Sequence, residues 1–413
     1  MDLCLIQLPN PALQHPSMYM PLGILYIAAV VEKEGYKVEV LDLRDGYKPL
    51  PDACFYGFSC TTPEINEAKR LSKWIRISGK RTIVGGAHSS LLPEDCDKQF
   101  DYIVMGEGED VIIPILRGEI NKGRVRAKRL LKLDNIPYPA WKKLDAPFSD
   151  TLFPGEGHGT GDKAATLIAS RGCPWSCSFC GNLFQHPIRF RSVENIIGEI
   201  KELKKLGITY FRFEDDNFTI HPSFEDLCYA LEELHISYKC HTRSDMLSPR
   251  LAQFMKMSGC EECGLGVESA DDVVLKINKK YETAEQHKEA VRILKCCRIR
   301  AKTYWMAGLP GETDETLELN NRFMRETQPD KWTLSCFTPY PGCEIYNYPD
   351  KFGIEIINKN WSTWWNFVIQ EKHITLKGRE GFNHVLIGQT VEQMTERHNK
   401  FRDFLEGEEW KRK

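Results

Sequence analysis

The sequence predicts an α/β protein in two parts. A shortened, N-terminal Rossmann-like parallel sheet comes first, then a partial (β/α)6 TIM-like barrel, with a small α-containing C-terminal region after it. Three observations carry this prediction. Short apolar runs alternate with helical patterns from the first residues to about residue 345, the order that builds parallel sheets with helical crossovers. Glycines and polar residues recur just after the apolar runs, where such folds place ligands. Between the two alternating stretches lies a segment rich in Lys, Pro and Gly, with the composition of a connector. The expected boundaries are residues 1–117 for the first domain, 118–164 for the connector, 165–345 for the barrel and 346–413 for the extension.

In the first stretch, the run Leu3 to Leu8 stops at Pro9 and has the pattern of a buried strand. Leu22 to Glu34 has helical apolar spacing and ends at Gly35, and Lys37 to Leu43 alternates like a strand. Ala53 to Cys60 is a further strand, and Glu64 to Ile77 an amphipathic helix. Arg81 to Val84 runs into Gly85-Gly86, and Asp101 to Met105 into Gly106-Glu-Gly-Glu. Only RDGYKPLPDA joins the second and third strands, too short for the dozen or more residues of a helical crossover. One helix of the wound sheet is therefore expected to be missing or replaced by a turn. In the connector, Trp141 is expected to act as a packing anchor.

The second stretch repeats the alternation. Ala165 to Ser170 is a strand that delivers a cysteine-rich loop, and Val193 to Leu206 is a helix. Four strands then end in polar motifs: Tyr210 to Phe213 in Glu214-Asp215-Asp216-Asn217, Ser237 to His241 in Thr242-Arg243-Ser244-Asp245, Glu262 to Val267 in Glu268-Ser269, and Ala301 to Met306 in Gly308-Leu-Pro-Gly311-Glu312. Helical patterns separate them, and Lys331 to Thr338 completes a sixth strand–helix-like unit. In a barrel of this kind the strand ends face one mouth, where active sites sit. Trp361, Trp364 and Trp365 read as packing or as pocket lining, and Val391 to Phe404 as a terminal helix.

The loop carries the most specific chemistry. Cys173, Cys177 and Cys180 are spaced C-x3-C-x2-C. Thiolates are soft ligands, and cysteines this dense in a chain without secretory features point to iron–sulfur or zinc rather than disulfides. Three thiolates leave one iron of a [4Fe–4S] cube open, since a cube held entirely by protein takes four cysteines. Zinc needs a fourth ligand, for which His186 is the nearest candidate. Cys260-Glu-Glu-Cys263 is a lone C-x2-C pair and a weak signal. Cys4, Cys54 and Cys228 read as small buried hydrophobes.

Composition excludes some classes. The chain has 413 residues, 42% apolar and 27% charged, with a net charge of −3, so there is no bulk electrostatic case for nucleic acid or an anionic membrane. The most apolar segment, Leu22 to Val31, is shorter than the roughly 20 residues that span a bilayer. The N-terminal residues lack the basic and long apolar regions of a signal peptide. Fifteen scattered cysteines fit a reducing cytoplasm, the expected location.

With Phe179 just before its last cysteine, the loop from Arg171 to Cys180 resembles the signature of the radical S-adenosylmethionine (SAM) enzymes. PLGILYIAAVVEKEGYKVEVLD, Ser59-x-Thr61, IVGGAH and DYIVMGEGE resemble the cobalamin-binding domain that precedes many of them. The loop PNPALQHPSMYM departs from other cobalamin proteins in having no D-x-H-x-x-G. The resemblance implies a [4Fe–4S] cluster on Cys173, Cys177 and Cys180, with SAM at the open iron. It assigns SAM contacts to Phe179, to Glu214 and Asp215 for the amino group, to the Arg243 fork for the carboxylate, to Glu268 for the ribose, and to Gly308 and Gly311 for close approach of the adenine. Ser59, Thr61, Gly85 and Gly86 are the matching cobalamin positions.

Bland alternatives stand beside these. Residues 214–216 can be a solvated turn, Arg243 with Asp245 a structural ion pair, and GLPGET a turn with Thr313 as a helix cap. The implied chemistry is reductive cleavage of SAM to a 5′-deoxyadenosyl radical, with the electron from a reductant such as flavodoxin or ferredoxin. Cobalamin-dependent C-methylation of a small-molecule or peptide substrate is the leading outcome. Its rivals are a cobalamin-independent rearrangement, cyclisation or oxidation, and a non-catalytic metal-binding scaffold.

Overall fold

A computed structural model describes residues 1–11, 20–144, 164–181, 183, 187–364, 368–370, 382–407 and 410–411. The chain forms two compact units, Met1–Thr166 with Asn360–Trp365, and Leu167–Lys359 with Asn366–Lys413.

The first unit is built on a six-stranded parallel sheet. Its strands are β1 (Leu3–Gln7), β2 (Val38–Asp42), β3 (Phe55–Ser59), β4 (Arg81–Gly85), β5 (Tyr102–Met105) and β6 (Gly123–Arg126), in the order β2-β1-β3-β4-β5-β6. Helices α1 (Leu22–Lys33) and α2 (Ile65–Ile77) make the crossovers from β1 to β2 and from β3 to β4, and the short α3 (Ala87–Leu91) and α4 (Ile112–Leu116) follow β4 and β5. Strands covered on both faces read as continuous apolar runs, and Ile6, Phe58, Val84 and Ile103 are accordingly buried together.

No helix lies between β2 and β3, as the short connection requires. Pro49 and Pro51 within it also oppose one. Residues 123–126, read from sequence as connector, form the outermost strand β6. Only Val125 of that strand is buried, so the pattern was too short and too charged to stand out. Trp141 is buried. Trp364 is fully buried, and Trp361 stands edge-on to it at 4.9 Å and to His88 at 5.5 Å. These two tryptophans pack residues 360–364 into the first unit. Trp365 lies outside the described residues.

Strand β7 (Ala164–Leu167) runs over the unit boundary, and the second unit continues with β8 (Ser170–Arg171), β9 (Arg189–Phe190), β10 (Tyr210–Phe213), β11 (Ser237–Thr242), β12 (Cys260–Glu268), β13 (Arg300–Ala307), β14 (Lys331–Cys336), β15 (Ile354–Ile356), β16 (Val368–Gln370) and β17 (His384–Leu386). Its main sheet has the order β16-β14-β13-β12-β11-β10-β7. Strands β10 to β14 run parallel, and β16 is antiparallel to β14. Helices α5 (Val193–Lys205), α6 (Phe224–Glu232), α7 (Pro249–Met257), α8 (Asp272–Ile277), α9 (Ala284–Cys296) and α10 (Asp314–Thr327) fill the connections, and α11 (Glu344–Asn347) and α12 (Val391–Glu406) follow. Side chains of β11 and β13 alternate between fully buried and half-buried. The fully buried set packs under the helices, and the half-buried set lines the other, inner face. This is the parallel α/β arrangement of a partial barrel.

Among the described residues no helix is long and apolar enough to cross a membrane.

Candidate functional site

The cysteine loop leaves the sheet through a small antiparallel pair, β8 with β9, and turns at Gly172, whose φ of +111° suits glycine. Its root is clamped twice. The Asp215 carboxylate accepts from the backbone N–H of Ala169 and from the hydroxyl of Ser170. Arg191 donates to the carbonyl of Ile168 at 2.9 Å and pairs with the buried Glu199. Further along, the N–H of Ser178 donates to the carbonyl of Asn278 at 3.0 Å, and the Ser178 carbonyl accepts from Ile345 at 3.1 Å. The N–H of Cys180 turns back onto the Cys177 carbonyl at 3.0 Å. Cys173 and Cys177 are half-buried and Cys180 is exposed, so the loop offers its thiols at a surface.

Charge gathers at Cys177. The Arg243 fork grips Asp245 with two bonds of 2.9 Å, and Arg243 also donates to the Lys280 carbonyl at 2.9 Å. Its remaining nitrogen, Nη1, lies 3.9 Å from the Cys177 sulfur, and the guanidinium covers the Trp175 ring at 4.5 Å. Beneath it the buried Glu282 carboxylate is 3.3 Å from Arg243 and 2.9 Å from Lys280 Nζ. The same carboxylate accepts from the backbone N–H groups of Ser244 (2.7 Å) and Asp245 (3.2 Å). Burial pushes the Cys177 thiol up, and Lys280 and Arg243 oppose that push. Two cations beside a thiol favour the thiolate, the form that binds metal.

Glu268 adopts φ +63° where the register of β12 against β13 slips, a conformation uncommon outside glycine. Its carboxylate folds over Gly266, where an added Cβ would lie 2.7 Å from Glu268 Oε1 and 3.4 Å from Lys280 Nζ. Glu268, Lys280 and Arg243 thus converge with Cys177. Phe179 is half-buried within the loop.

Other expected SAM contacts have different partners. Asp215 holds the loop root. Glu214 pairs with Arg212 on the inner face of the sheet. Gly308 donates its N–H to Glu312 (2.7 Å) and accepts from His384 (2.8 Å), and an added Cβ would meet Phe382 at 2.5 Å. At Gly311 an added Cβ would meet Ile277 at 2.6 Å. At both positions a side chain of the protein itself takes the space of the absent Cβ. Thr313 and Thr316 form a capping box at the start of α10. Cys260 and Cys263 are fully buried in β12, and burial raises the Cys260 thiol. Cys4 and Cys228 are buried as expected, but Cys54 is exposed, because it sits just ahead of β3.

In the first unit the strand order reverses between β1 and β3, the position where open parallel sheets bind ligands. Ser59 ends β3 there. Gly86, at φ +94°, lets two strand-end loops close on each other: an added Cβ would lie 2.6 Å from the Cys60 nitrogen and 3.1 Å from the Ser59 hydroxyl. Gly23, on α1, also faces Ser59 at 3.6 Å. Small groups therefore meet at the reversal point. Thr61 instead bonds Glu64 through both its N–H and its hydroxyl, at 2.8 Å each. At Gly85 an added Cβ would come no nearer than 3.9 Å to its neighbours, Phe58 and Val104.

Two domain-family models match the chain, the Radical SAM superfamily at residues 167–323 and the B12 binding domain at residues 15–115. The chain is a radical SAM protein with a B12-binding domain. An uncharacterized methyltransferase of Pyrococcus horikoshii is 28% identical over 389 residues, covering 86% of this chain and 84% of its own length. An anaerobic magnesium-protoporphyrin IX monomethyl ester cyclase of Rubrivivax gelatinosus is 28% identical over 367 residues, covering 79% and 65%. In fold, the radical SAM protein superposes on the methyltransferase TsrM of Kitasatospora setae, solved with cobalamin and a [4Fe–4S] cluster bound. The TM-score is 0.66 at 17% identity, covering 87% of this chain and 81% of that one.

A [4Fe–4S] cluster, SAM and cobalamin are the cofactors this membership implies, and the donor set fits. Among the described residues, no group of three or more His, Cys, Asp or Glu side chains is placed to hold a single metal ion. A cube asks something else, each thiolate on its own iron. His186, the candidate zinc ligand, lies outside the described residues. In the first unit, the strand ends diverge at the β1/β3 reversal beside Ser59, a position that fits a cofactor.

Sequence reasoning missed Asn278, Lys280 and Glu282. They lie in KINKKYE, a charged run of the kind that is usually solvated, and nothing local marks it as buried.

Asp215 has a testable pH signature. Burial, partly offset by its bonds to Ser170 and Ala169, raises its carboxyl from 3.8 to about 6. A raised acid stabilises the fold fully below its unfolded value and loses that contribution as pH climbs through the folded one. Between about pH 5 and about pH 7.5, wild type should lose on the order of 1 kcal/mol that an Asp215→Asn variant keeps. Urea unfolding at the two pH values measures this, and parallel losses in both proteins would refute it.

Proposed function

We propose that this radical SAM protein methylates an unactivated carbon of its substrate in a cobalamin-dependent reaction. The observation that supports this most is the strand-order reversal between β1 and β3, within the segment that the B12 binding domain model matches. The Pyrococcus horikoshii relative, named a methyltransferase, points the same way. When bound, the cluster supplies the electron that splits SAM into methionine and a 5′-deoxyadenosyl radical, and cobalamin carries the methyl group.

The chain's own residues supply position and charge. Cys173, Cys177 and Cys180 hold the cluster. Arg243 and Lys280 oppose the burial that raises the Cys177 thiol, and Glu282 holds both cations in place. Glu268, raised by burial and steadied by Lys280, accepts hydrogen bonds from SAM hydroxyls. Asp215 and Arg191 fix the loop root, so the thiols are already arranged before the cofactor arrives.

The test is anaerobic incubation of the cluster-loaded protein with SAM, a low-potential reductant and hydroxocobalamin. The expected products are 5′-deoxyadenosine, and S-adenosylhomocysteine that requires cobalamin. Deoxyadenosine alone, unaffected by cobalamin, would overturn methyl transfer. It would favour a cyclisation or rearrangement, the class to which the name of the Rubrivivax relative belongs.

A further inference from the structure

The lysines of the run KINKKYE meet different fates. Lys276 is exposed at the end of α8. Lys279 pairs with Glu344 at 2.5 Å. Lys280 turns into the protein, where it is 5% exposed and lies 2.9 Å from the buried Glu282. The backbone on either side of it is strained. Lys279 and Tyr281 adopt φ of +54° and +56°, values that residues with a side chain avoid and that persist only where the surroundings hold them. Here they are held. The Asn278 amide donates to the carbonyls of Val274 (2.8 Å) and Pro310 (2.9 Å), and the N–H of Lys280 donates to the Leu275 carbonyl at 3.0 Å.

This corner is also fastened to the cysteine loop. The Asn278 carbonyl receives the N–H of Ser178, the neighbour of Cys177, at 3.0 Å. The Lys280 carbonyl receives Arg243 Nη2 at 2.9 Å, and Nη1 of the same guanidinium lies 3.9 Å from the Cys177 sulfur. The Lys280 ammonium therefore has a fixed place relative to the thiols. Its carboxylate neighbours are Glu282 and, over Gly266, Glu268. Among the charges that act on the Cys177 sulfur, Lys280 comes first and Arg243 second, ahead of Glu268 and Glu282. A buried ion pair is weak grounds for stability, because apolar residues of similar volume serve as well. A buried ammonium fixed beside a cofactor loop points instead to a use for its charge.

We propose that Lys280 sets the reduction potential of the cluster held by Cys173, Cys177 and Cys180, making that cluster easier to reduce. One electron passes from the reductant to the cluster, and no proton or group moves with it, so the site gains one negative charge. A fixed cation nearby favours the more negative form. Net charge and hydrogen bonding around the sulfurs are among the levers that set such potentials. Glu268, on the other side of Gly266, works in the opposite direction. The proposal rests on the cluster assignment within the radical SAM reading and not on methyl transfer.

The test is an anaerobic redox titration of the cluster-loaded protein, without SAM or cobalamin, with dithionite as reductant. The EPR signal of the reduced cluster gives the midpoint, and iron is measured alongside. Lys280→Gln should lower the equilibrium constant for reduction about tenfold, a midpoint about 59 mV more negative for one electron. Glu268→Gln should move the midpoint the other way. Lys280→Arg keeps the charge and should stay within about threefold of wild type. Lys276→Gln removes an exposed charge from the same run, which solvent and salt screen, and should do likewise.

Glu282 still faces Arg243 when Lys280 is replaced, so no buried carboxylate is left alone. Lys280→Met carries the same test should the glutamine variant lose its iron, and Glu268→Gln decides if both do. Midpoints within about twofold of wild type in the Lys280 variants, or an unmoved midpoint in Glu268→Gln, overturn the proposal. An equal negative shift in Lys280→Arg would trace the effect to shape and not charge, and overturns it too. Unmoved potentials leave the methyl-transfer reading standing. Shifted potentials in a protein that forms no S-adenosylhomocysteine would sink that reading and not this one.

Discussion

Replacing Cys177 by alanine should leave the protein folded but colourless, with iron falling from about four per chain to near zero. Cys177 is the thiol on which the Arg243 and Lys280 charges converge, so no other group at the loop substitutes for it. Formation of 5′-deoxyadenosine from SAM should fall by at least about 10³-fold, because the electron-transfer centre is gone rather than perturbed. Cys296→Ala, at an exposed thiol on α9, is the matched control and should keep both iron and activity. Iron analysis and product chromatography measure these outcomes. Retention of a full cluster by the Cys177 variant would refute the ligand assignment.

The second large effect is on stability. Glu282→Ala removes the carboxylate that faces Arg243 and Lys280 and that receives two backbone N–H groups. The two cations remain in a buried position without their shared anion, which costs about 3–5 kcal/mol when one member of a buried ionic group is deleted. Glu282→Gln keeps an oxygen for Ser244 and Asp245, so it should lose less, with the difference reporting the ionic part. Urea unfolding of the two variants beside wild type decides this. A loss below about 1 kcal/mol for the alanine variant would show that Glu282 is not the hub of the cluster. Its effect should also reach the loop, because Glu282 holds Arg243 against Cys177, and iron occupancy after reconstitution should fall in parallel.

Much of this was legible in the chain. The C-x3-C-x2-C spacing is local, and so are the strand-end motifs, because a strand and the turn after it are read from consecutive residues. The missing crossover between β2 and β3 followed from a segment length alone. The fates of the polar residues did not. Arg243 was readable as a ligand fork or as half of an ion pair, and in the folded chain it grips Asp245 while Nη1 stays beside Cys177. Asp215 reads like its neighbour Glu214, yet one clamps the loop root and the other pairs with Arg212 two residues before it. Gly308 and Gly311 announce a need for glycine without saying what fills the space. Phe382 and Ile277 fill it, and the first lies more than seventy residues away.

The sequence by itself therefore determined the alternation of strands and helices and the spacing of the three thiols, since each depends on neighbours along the chain. Tertiary structure alone decided which charges meet. Lys280 and Glu282 sit in what reads as a solvated run, and Arg243, which meets both, lies more than thirty residues earlier. Register and burial bring them together, and only in that setting do their charges act strongly on one another, because the distance and the surrounding dielectric are properties of the fold.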